Sequence, residues 1–331
     1  MHKNLSLQNI KIIRIFMISR RLIRVKVFKV LFSRISSGSE SLQAAEKELL
    51  MSCDKTLDLY FYLLSLPVAL RNVAENKIEA GLKKFHPTYE EANPNRRFVE
   101  NRLIEKIANN ETLIKKCEAA GLYWSDQLSF VKKLYNSVIE KEYFKNYMSL
   151  PSVTFADDVK LICDIFENEL EESDDLYEII EDISLYCSDD IAYVLNVIIE
   201  RLQKVREDKK VTHPTVFIKD EDREYALRLL TQSLIHYDEY VELMSDFTLN
   251  WEPERIAATD LALIVMGIAE GIAFPNIPLK VSINEYVEIA KFYSTQNSKV
   301  FVNGVLDKVL NALQKDGKIQ KSGRGLVGST E

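Results

Sequence analysis

The chain is poor in the residues that build tight turns and cofactor loops. It contains 10 Gly and 8 Pro in 331 residues, and no Gly lies between Gly121 and Gly267. Such a stretch without glycine favours helices over a sheet that is rich in turns. With 47% hydrophobic and 28% charged residues, the composition is that of a globular protein. We therefore predict an all-α fold.

Cysteine and histidine are equally scarce. The four Cys show no CxxC spacing, and the four His form no HExxH motif or equivalent. The cysteines therefore indicate buried or free thiols in a reducing cytosol, not a disulfide framework or a zinc site. We predict no metal site, no cofactor and a cytoplasmic location.

The sequence also lacks catalytic motifs. No Gly-rich loop follows a strand pattern, and no Cys stands in a motif typical of nucleophilic catalysis. Carboxylates are abundant, but their density over residues 157–190 indicates a solvated acidic face and not a tuned acid–base pair. We predict that the chain is not an enzyme.

No hydrophobic run is long enough to cross a membrane. The apolar run Leu261–Ala269 is bounded by Asp260 and Glu270 and is too short for a bilayer. An all-round apolar helix of this length is typical of the centre of a helical bundle. The first residues have no small-residue cleavage site, so we expect no signal peptide.

Charge is distributed unevenly along the chain, which has a net charge of −7. Residues 1–36 carry nine bases and no acid, whereas residues 157–190 carry 14 acids and one base. A basic arm on an acidic protein suggests a localised site for a polyanion, because the remaining surface repels nucleic acid. The alternatives are a solvated helix terminus, or a start assigned too early. In the second case Met17 is the natural start of the protein. If residues 1–16 are instead part of the protein, we expect them to be a disordered upstream extension.

Apolar periodicity and helix breakers predict consecutive helices. Breaks are expected at four prolines, a loop at Ile35–Glu40, and a flexible tail over residues 315–331. The prolines are Pro67, Pro87, Pro94 and Pro151. The predicted helices are Ser19–Ser33, Ser41–Leu66, Pro67–Lys84, Asn95–Gly121, Ser125–Met148, Phe155–Leu170, Asp174–Cys187, Asp189–Glu207, Asp220–His236, Asp238–Leu249, Leu261–Ala269, Ser282–Tyr293 and Ser298–Leu313.

The first helix has two distinct faces. Ser19 is its expected N-cap, and a core face contains Ile23, Val27, Val30 and Leu31. A second face interleaves basic and aromatic residues, which fits a surface that meets a protein or an RNA. Its members are Arg21, Val25, Phe28, Lys29 and Phe32. The alternative is that the helix is buried on two sides in a larger bundle.

Two blocks of the sequence resemble a known family. The block at 219–313 combines the apolar helix ending in Glu270, the pair Asn284-Glu285, and PheValAsnGlyValLeuAspLys at 301–308. The block at 19–33 contains Arg20-Arg21-Leu22-Ile23-Arg24. In this order the blocks resemble the NusB family of bacterial transcription antitermination factors.

The resemblance implies an all-helical NusB-like bundle with a large additional helical region. Residues 17–36 would be the first helix and residues 213–314 the C-terminal part of the bundle. Residues 37–212 would be a helical insertion that the family pattern does not cover, with its acidic segment at 157–190. Phe98 and Trp124 have the same spacing as Tyr225 and Trp251, through either a diverged duplication or chance.

The resemblance also implies a function. NusB-family proteins pair with the ribosomal protein NusE, bind boxA-type single-stranded RNA and help RNA polymerase read through terminators on ribosomal RNA operons. The free protein would be a monomer, or a homodimer that opens on meeting its partner. The alternative function is an all-helical protein–protein scaffold that docks partners through the acidic segment and lacks specific RNA binding.

Candidate contact residues follow from the resemblance and from the residues themselves. The predicted RNA-binding set is Arg20, Arg21, Arg24, Lys29, Tyr293, Asn297, Ser298 and Lys299. The last three open the final helix, with Ser298 as a plausible N-cap, and helix N-termini attract phosphate. The predicted protein-partner set is Phe28, Phe32 and Asp260. Two of these residues each have an alternative interpretation. Tyr293 would pack against Phe301 instead of meeting RNA, and Asp260 would cap a helix instead of meeting the partner. We interpret Gly304 as a site of close helix packing.

Overall fold

The computed structural model describes residues 18–38, 41–217, 220–247 and 256–326. Within these ranges the chain is helical and contains no strand, which confirms the predicted all-α fold. Short 3-10 turns occur at Trp124–Gln127, Ser188–Asp190 and Gly323–Leu326. The helices are α1 (Arg20–Ser37), α2 (Leu42–Leu82), α3 (Tyr89–Ala92), α4 (Arg102–Ala108), α5 (Glu111–Ala120), α6 (Leu128–Val138), α7 (Glu142–Ser149), α8 (Phe155–Glu169), α9 (Asp174–Ile183), α10 (Ile191–Leu202), α11 (Asp220–Ile235), α12 (Tyr237–Ser245), α13 (Ala258–Ala273), α14 (Leu279–Tyr293) and α15 (Ser298–Lys315).

The described residues form two compact units. The bundle unit comprises the described residues of 18–53 and 217–326, and the middle unit comprises residues 54–216. The middle unit lies within the predicted insertion at 37–212, except for its last residues. The exact borders of that insertion stay a prediction.

Helix α13 is the centre of the bundle unit. It packs against α1, α11, α12, α14 and α15, and residues 262–271 are all buried. This confirms the prediction that the apolar run lies at the centre of a bundle, because a helix that is apolar all round gains from burial on every side. Among the described residues, none of the helices has both the length and the apolar character to cross a membrane.

Two glycines of α13 let α15 approach closely. A Cβ atom added at Gly267 would lie 2.5 Å from Leu306 Cδ2, and one at Gly271 would lie 2.5 Å from Leu310 Cδ2. Both pairs are four residues apart on their helices, so they form one line of contact. Gly304 was expected to have this role, but a Cβ atom there would meet nothing within 4 Å. That interpretation of Gly304 is wrong.

Helix α1 is buried on more than its core face. Ser19 is the N-cap and its side chain accepts a hydrogen bond from Leu22 N, as predicted. The helix continues to Ser37, four residues beyond the predicted end, and Gly38 ends it in the left-handed conformation with φ 64°. Val25, Lys26 and Phe28 are buried, so the alternative of a helix buried on two sides is the one observed.

Proline and asparagine account for several corrected helix borders. The predicted break at Pro67 is wrong, because α2 runs through it, with Leu66 and Leu70 buried on either side. Burial of such neighbours stabilises a helix despite the lost backbone hydrogen bond. The predicted helix Asn95–Gly121 is α4 and α5, because Asn101 and Asn110 each cap a new helix N-terminus. The predicted helix Ser125–Met148 is likewise divided into α6 and α7.

The middle unit has its own core around α8, which packs against α4, α6, α7 and α10. Trp124 stacks on Tyr62 with ring centroids 4.1 Å apart, and its Nε1 donates to the Tyr62 carbonyl at 2.9 Å. Asp158 of α8 is buried and accepts hydrogen bonds from Arg102 Nε at 2.8 Å and Tyr147 Oη at 2.7 Å. These contacts satisfy the polar groups that the core encloses.

The segment after α15 packs against the bundle unit, although its sequence lacks a core pattern. Ile319 is buried, and Lys321 Nζ donates to the carbonyls of Gly271 and Phe274 at 2.8 and 3.0 Å. Burial lowers the pKa of Lys321 to about 8. The predicted flexible tail at 315–331 thus includes residues that pack against the bundle unit, and its flexibility stays a prediction. Residues 1–16, Met17 and Trp251 lie outside the described residues, and the predictions on them stay predictions.

We expect Gly267→Ala to destabilise the protein and Gly304→Ala to stabilise it. Overpacking against Leu306 costs about 1–3 kcal/mol, which outweighs the ~1 kcal/mol gained from the helix propensity of alanine. At Gly304 only that gain of up to ~1 kcal/mol remains, because the added methyl group meets open space. Urea unfolding followed by circular dichroism would measure both changes. Equal effects of the two variants would contradict the close contact between α13 and α15.

Candidate nucleic-acid interface

The first turn of α1 carries two arginines and no acid. Cations at a helix N-terminus oppose the helix dipole, so other elements must supply the compensating charge. Arg20 Nε lies 3.0 Å from Asp222 Oδ1 of α11. Arg21 binds Glu285 of α14 through Nε at 3.0 Å and Nη2 at 2.6 Å. Both predicted RNA contacts are therefore paired with acids, while their side chains remain 47% and 31% exposed.

The third arginine, Arg24, is buried. Its side chain is 4% exposed, and Nε and Nη2 donate to Glu270 Oε1 at 3.0 and 2.7 Å. Glu270 of α13 is fully buried and also accepts a hydrogen bond from the Tyr225 hydroxyl. Burial, together with the Glu270 carboxylate, raises the pKa of Tyr225 well above its usual value, so the hydroxyl remains a donor. The prediction that Arg24 contacts RNA does not fit this position.

Glu285 joins the two ion pairs. Besides binding Arg21, it accepts a hydrogen bond from Arg24 Nη1 at 3.3 Å. Burial acts to raise the pKa of Glu285, but the hydrogen bond from Arg21 and the charge of Arg24 hold this pKa below its usual value. The carboxylate is therefore ionised at neutral pH.

A second group of predicted residues meets where α1 passes the end of α14. The ring of Tyr293 lies 5.4 Å from that of Phe28, and Lys29 Nζ lies 5.9 Å from the Tyr293 centroid. Phe32 follows one turn later, 6.1 Å from Phe28. Phe28 is buried, whereas Lys29, Phe32 and Tyr293 are half-buried. Phe28 thus packs against Tyr293 and Phe32 and is itself nearly inaccessible to solvent.

The α14–α15 connection is held by a buried carboxylate. Asp260 Oδ1 accepts from Ser294 Oγ at 2.5 Å, and Oδ2 accepts from Ser298 Oγ at 2.7 Å. Ser298 is buried and is the first residue of α15, not its N-cap, which is Asn297. Asp260 lies inside α13, whose N-cap is Ala257. Asp260 and Ser298 therefore position the connection, and neither is exposed for a partner or for RNA.

The structure consequently retains only part of the predicted set as accessible. Asn297 and Lys299 are exposed on either side of Ser298. Because they follow Tyr293 by four and six residues, we group them with the half-buried members of the second group and name the set the basic–aromatic patch. The patch consists of Lys29, Phe32, Tyr293, Asn297 and Lys299.

Arg21 lies about two helical turns from the patch. Arg21 contacts Glu285, and Phe28 contacts Tyr293, so α1 and α14 run in the same direction. The two contacts are separated by about 10 Å along α1 and about 12 Å along α14, at ~1.5 Å per residue. A short extended single strand can bridge this distance.

Sequence reasoning missed the functions of Glu270, Glu285 and Tyr225. One signal was available, because Glu270 directly follows a run of apolar residues that lie in the core. A carboxylate in such a place needs a partner of opposite charge, since an unpaired buried charge is costly. The sequence does not reveal which of the many basic residues is that partner.

The acidic segment at 157–190 is only partly a solvated face. Asp158 and Asp190 are buried, and Asp190 accepts a hydrogen bond from Thr56 Oγ1 at 2.6 Å. Glu169 accepts one from Tyr143 Oη at 3.1 Å. Some of the acids therefore stabilise the middle unit. The exposed ones lie on and around α9 and include Glu172, Asp174, Glu178, Glu181 and Asp182.

Comparison with known proteins confirms the predicted resemblance. The profile of the NusB family matches residues 193–311, which takes in α11 to α14 and most of α10 and α15 but leaves out α1. The match thus starts earlier than the predicted block at 219–313. No solved structure matches the chain.

Several relatives carry the name transcription antitermination protein NusB. The protein of Salinibacter ruber is 44% identical over 112 residues, covering 33% of this chain and 70% of that protein. That of Chloroherpeton thalassium is 36% identical over 140 residues, covering 41% and 64%. That of Natranaerobius thermophilus is 44% identical over 78 residues, covering 24% and 54%.

We expect Arg24→Met to destabilise the protein by about 3–5 kcal/mol, because it leaves the Glu270 carboxylate buried without a cation. The double variant Arg24→Met/Glu270→Met should regain most of this loss, since both charges are removed together. Arg20→Met, at a partly exposed pair, should cost about 1 kcal/mol or less. Urea unfolding measures all three. An Arg24→Met variant as stable as Arg20→Met would show that the buried pair does not stabilise the bundle unit.

Proposed function

This chain belongs to the NusB family, and we propose that it acts as a transcription antitermination factor in the bacterial cytoplasm. More specifically, it binds boxA-type single-stranded RNA together with the ribosomal protein NusE, and acts with RNA polymerase on ribosomal RNA operons. The names of its relatives support the proposal that the chain is a transcription antitermination factor. The chain spans 70% of one relative and 64% and 54% of two others. Because the family is one of antitermination factors and not of enzymes, the prediction that the chain is not an enzyme is confirmed.

The basic–aromatic patch is the observation that carries the RNA-binding proposal. It places Lys29 over the ring of Tyr293, beside the exposed start of α15. An accessible aromatic ring flanked by cations is the arrangement that proteins use to hold single-stranded nucleic acid.

Each member of the patch has a distinct task in this proposal. A base stacks on Tyr293, while Lys29 and Lys299 bind the flanking phosphates. Asn297 holds the N-cap position of α15 without a side-chain cap bond, and the positive end of the helix dipole attracts a phosphate there. Arg20 and Arg21 extend the path along α1. Arg24 fixes α1 in the bundle and does not touch the RNA.

Phe32 is the member of the patch that we assign to the protein partner. It is a half-buried aromatic ring whose centroid lies 6.1 Å from that of Phe28, and aromatic side chains are enriched at the energetic centres of interfaces. Partner and RNA would thereby meet α1 side by side. Because the two ligands would lie next to each other, we expect NusE to increase the affinity for RNA.

We expect Tyr293→Leu to weaken binding of boxA-type RNA by the complex with NusE, because leucine fills the space beside Phe28 but cannot stack a base. Loss of stacking corresponds to about 1–3 kcal/mol, or roughly 5- to 150-fold in affinity. Lys299→Gln should make the slope of log K against log salt shallower by about 0.7. Fluorescence anisotropy over a salt series measures both effects.

Lys315→Gln, which removes the same charge from the last turn of α15, is the matched control and should bind like the unmodified chain. If a folded protein binds no RNA with or without NusE, the RNA proposal fails. The scaffold function would then be favoured, with the exposed acids around α9 as the docking site to test.

We expect Phe32→Ala to reduce the affinity for NusE by about tenfold or more, because truncating a central interface residue costs about 1–2 kcal/mol or more. Isothermal titration calorimetry with purified NusE measures this. Tyr123→Ala in the middle unit, at an aromatic that is 46% exposed, is the control and should leave the affinity unchanged. Equal affinities for all three proteins would remove Phe32 from the partner surface.

A further inference from the structure

Four charges at the contact of α1, α13 and α14 sum to zero. They are the cations Arg21 and Arg24 and the carboxylates Glu270 and Glu285. Three of them are shielded, since the exposed fractions of the side chains are 4% for Arg24, 0% for Glu270 and 18% for Glu285. Arg21, at 31%, is the most exposed of the four. Any change in the net charge of these four side chains would therefore reach solvent mainly through Arg21.

Glu285 is the acid that balances Arg21. Its Oε1 lies 2.6 Å from Arg21 Nη2, and its Oε2 lies 3.0 Å from Arg21 Nε. Arg24 does not depend on Glu285 for its charge balance, because Glu270 already binds it through two nitrogens. Removing the charge of Glu285 would thus leave the buried Arg24–Glu270 pair neutral and add one positive charge at Arg21.

We propose that Glu285 limits the electrostatic part of RNA binding by cancelling the charge of Arg21. This inference rests on the proposed function, since it concerns the same RNA path. Binding of RNA without regard to sequence depends almost entirely on contacts between cations and phosphates. Base stacking on the patch, which any base can provide, adds to this binding and is not opposed by a carboxylate two turns away. Cancelling one cation therefore weakens the binding of every RNA strand that reaches Arg21, whatever its sequence.

The substitution Glu285→Gln separates charge from positioning. Glutamine keeps the size of the side chain and one oxygen that can accept from Arg21, but it removes the charge. If Glu285 mainly held Arg21 in place for RNA, the loss of its firm ion pair would weaken binding. If it mainly cancels Arg21, the same change strengthens binding. The two functions therefore predict opposite changes in RNA affinity for Glu285→Gln.

The test compares a labelled boxA-type RNA and a scrambled RNA of the same composition, bound to the full chain with NusE. One added cation should steepen the salt slope for scrambled RNA by about 0.7, which is roughly fivefold tighter binding near 0.1 M salt. The affinity for boxA-type RNA should rise by a similar factor, because the same cation is added to its path. Glu242→Gln removes one negative charge at an exposed position of α12 and should change neither value, because distant charges are screened at this salt.

Unchanged or weaker binding of scrambled RNA by Glu285→Gln would overturn the proposal. If that variant does not fold, Arg21→Gln and the double variant Arg21→Gln/Glu285→Gln decide. Arg21→Gln leaves the carboxylate unbalanced and should weaken binding about fivefold, and the double variant should restore it. A double variant as weak as Arg21→Gln would also overturn the proposal. If the unmodified protein binds neither RNA, the proposed function fails before this question arises.

Discussion

The pairing of Arg24 with Glu270 is the constraint on which the bundle unit depends. Both charges are out of water, and each would be strongly destabilising alone. The pair forms only when α1 and α13 meet in one register, and α11 joins through the Tyr225 hydroxyl. Apolar packing alone tolerates a helix that slides or rotates, whereas a buried ion pair does not. The charges thus select one arrangement among several that would bury similar apolar area.

That register determines which side chains α1 presents at the surface. One turn after Arg24, the ring of Phe28 contacts that of Tyr293 at a tilt, and Lys29 Nζ lies 5.9 Å from the Tyr293 centroid. At the same time Asp260 binds Ser294 and Ser298, and so fixes the chain that leads from Tyr293 to Lys299. Two buried carboxylates of α13, one near each end of the helix, therefore position the two halves of the basic–aromatic patch. The surface chemistry follows from the polar groups in the core.

The sequence was sufficient for the features that depend on local pattern. The helical class, the cap at Ser19 and the buried run of α13 follow from composition, capping and periodicity. Features that depend on distant partners were not predictable. The Arg-rich segment has the pattern of a surface helix. Arg24 is nevertheless buried because it pairs with Glu270, and this partner lies 246 residues away in the chain. Pro67 was misjudged for the same reason, since buried neighbours keep α2 intact around it.

The separation between Arg24 and Glu270 has a consequence during protein synthesis. At about 5–20 residues per second, the ribosome needs about 12–50 s to add the 246 residues between them. Throughout that interval α1 has been made while α13, the helix it packs against, has not. The middle unit, which has its own core, is completed meanwhile and can fold first. The nascent chain therefore carries the apolar and basic residues of α1 without their bundle partners for the whole of this time.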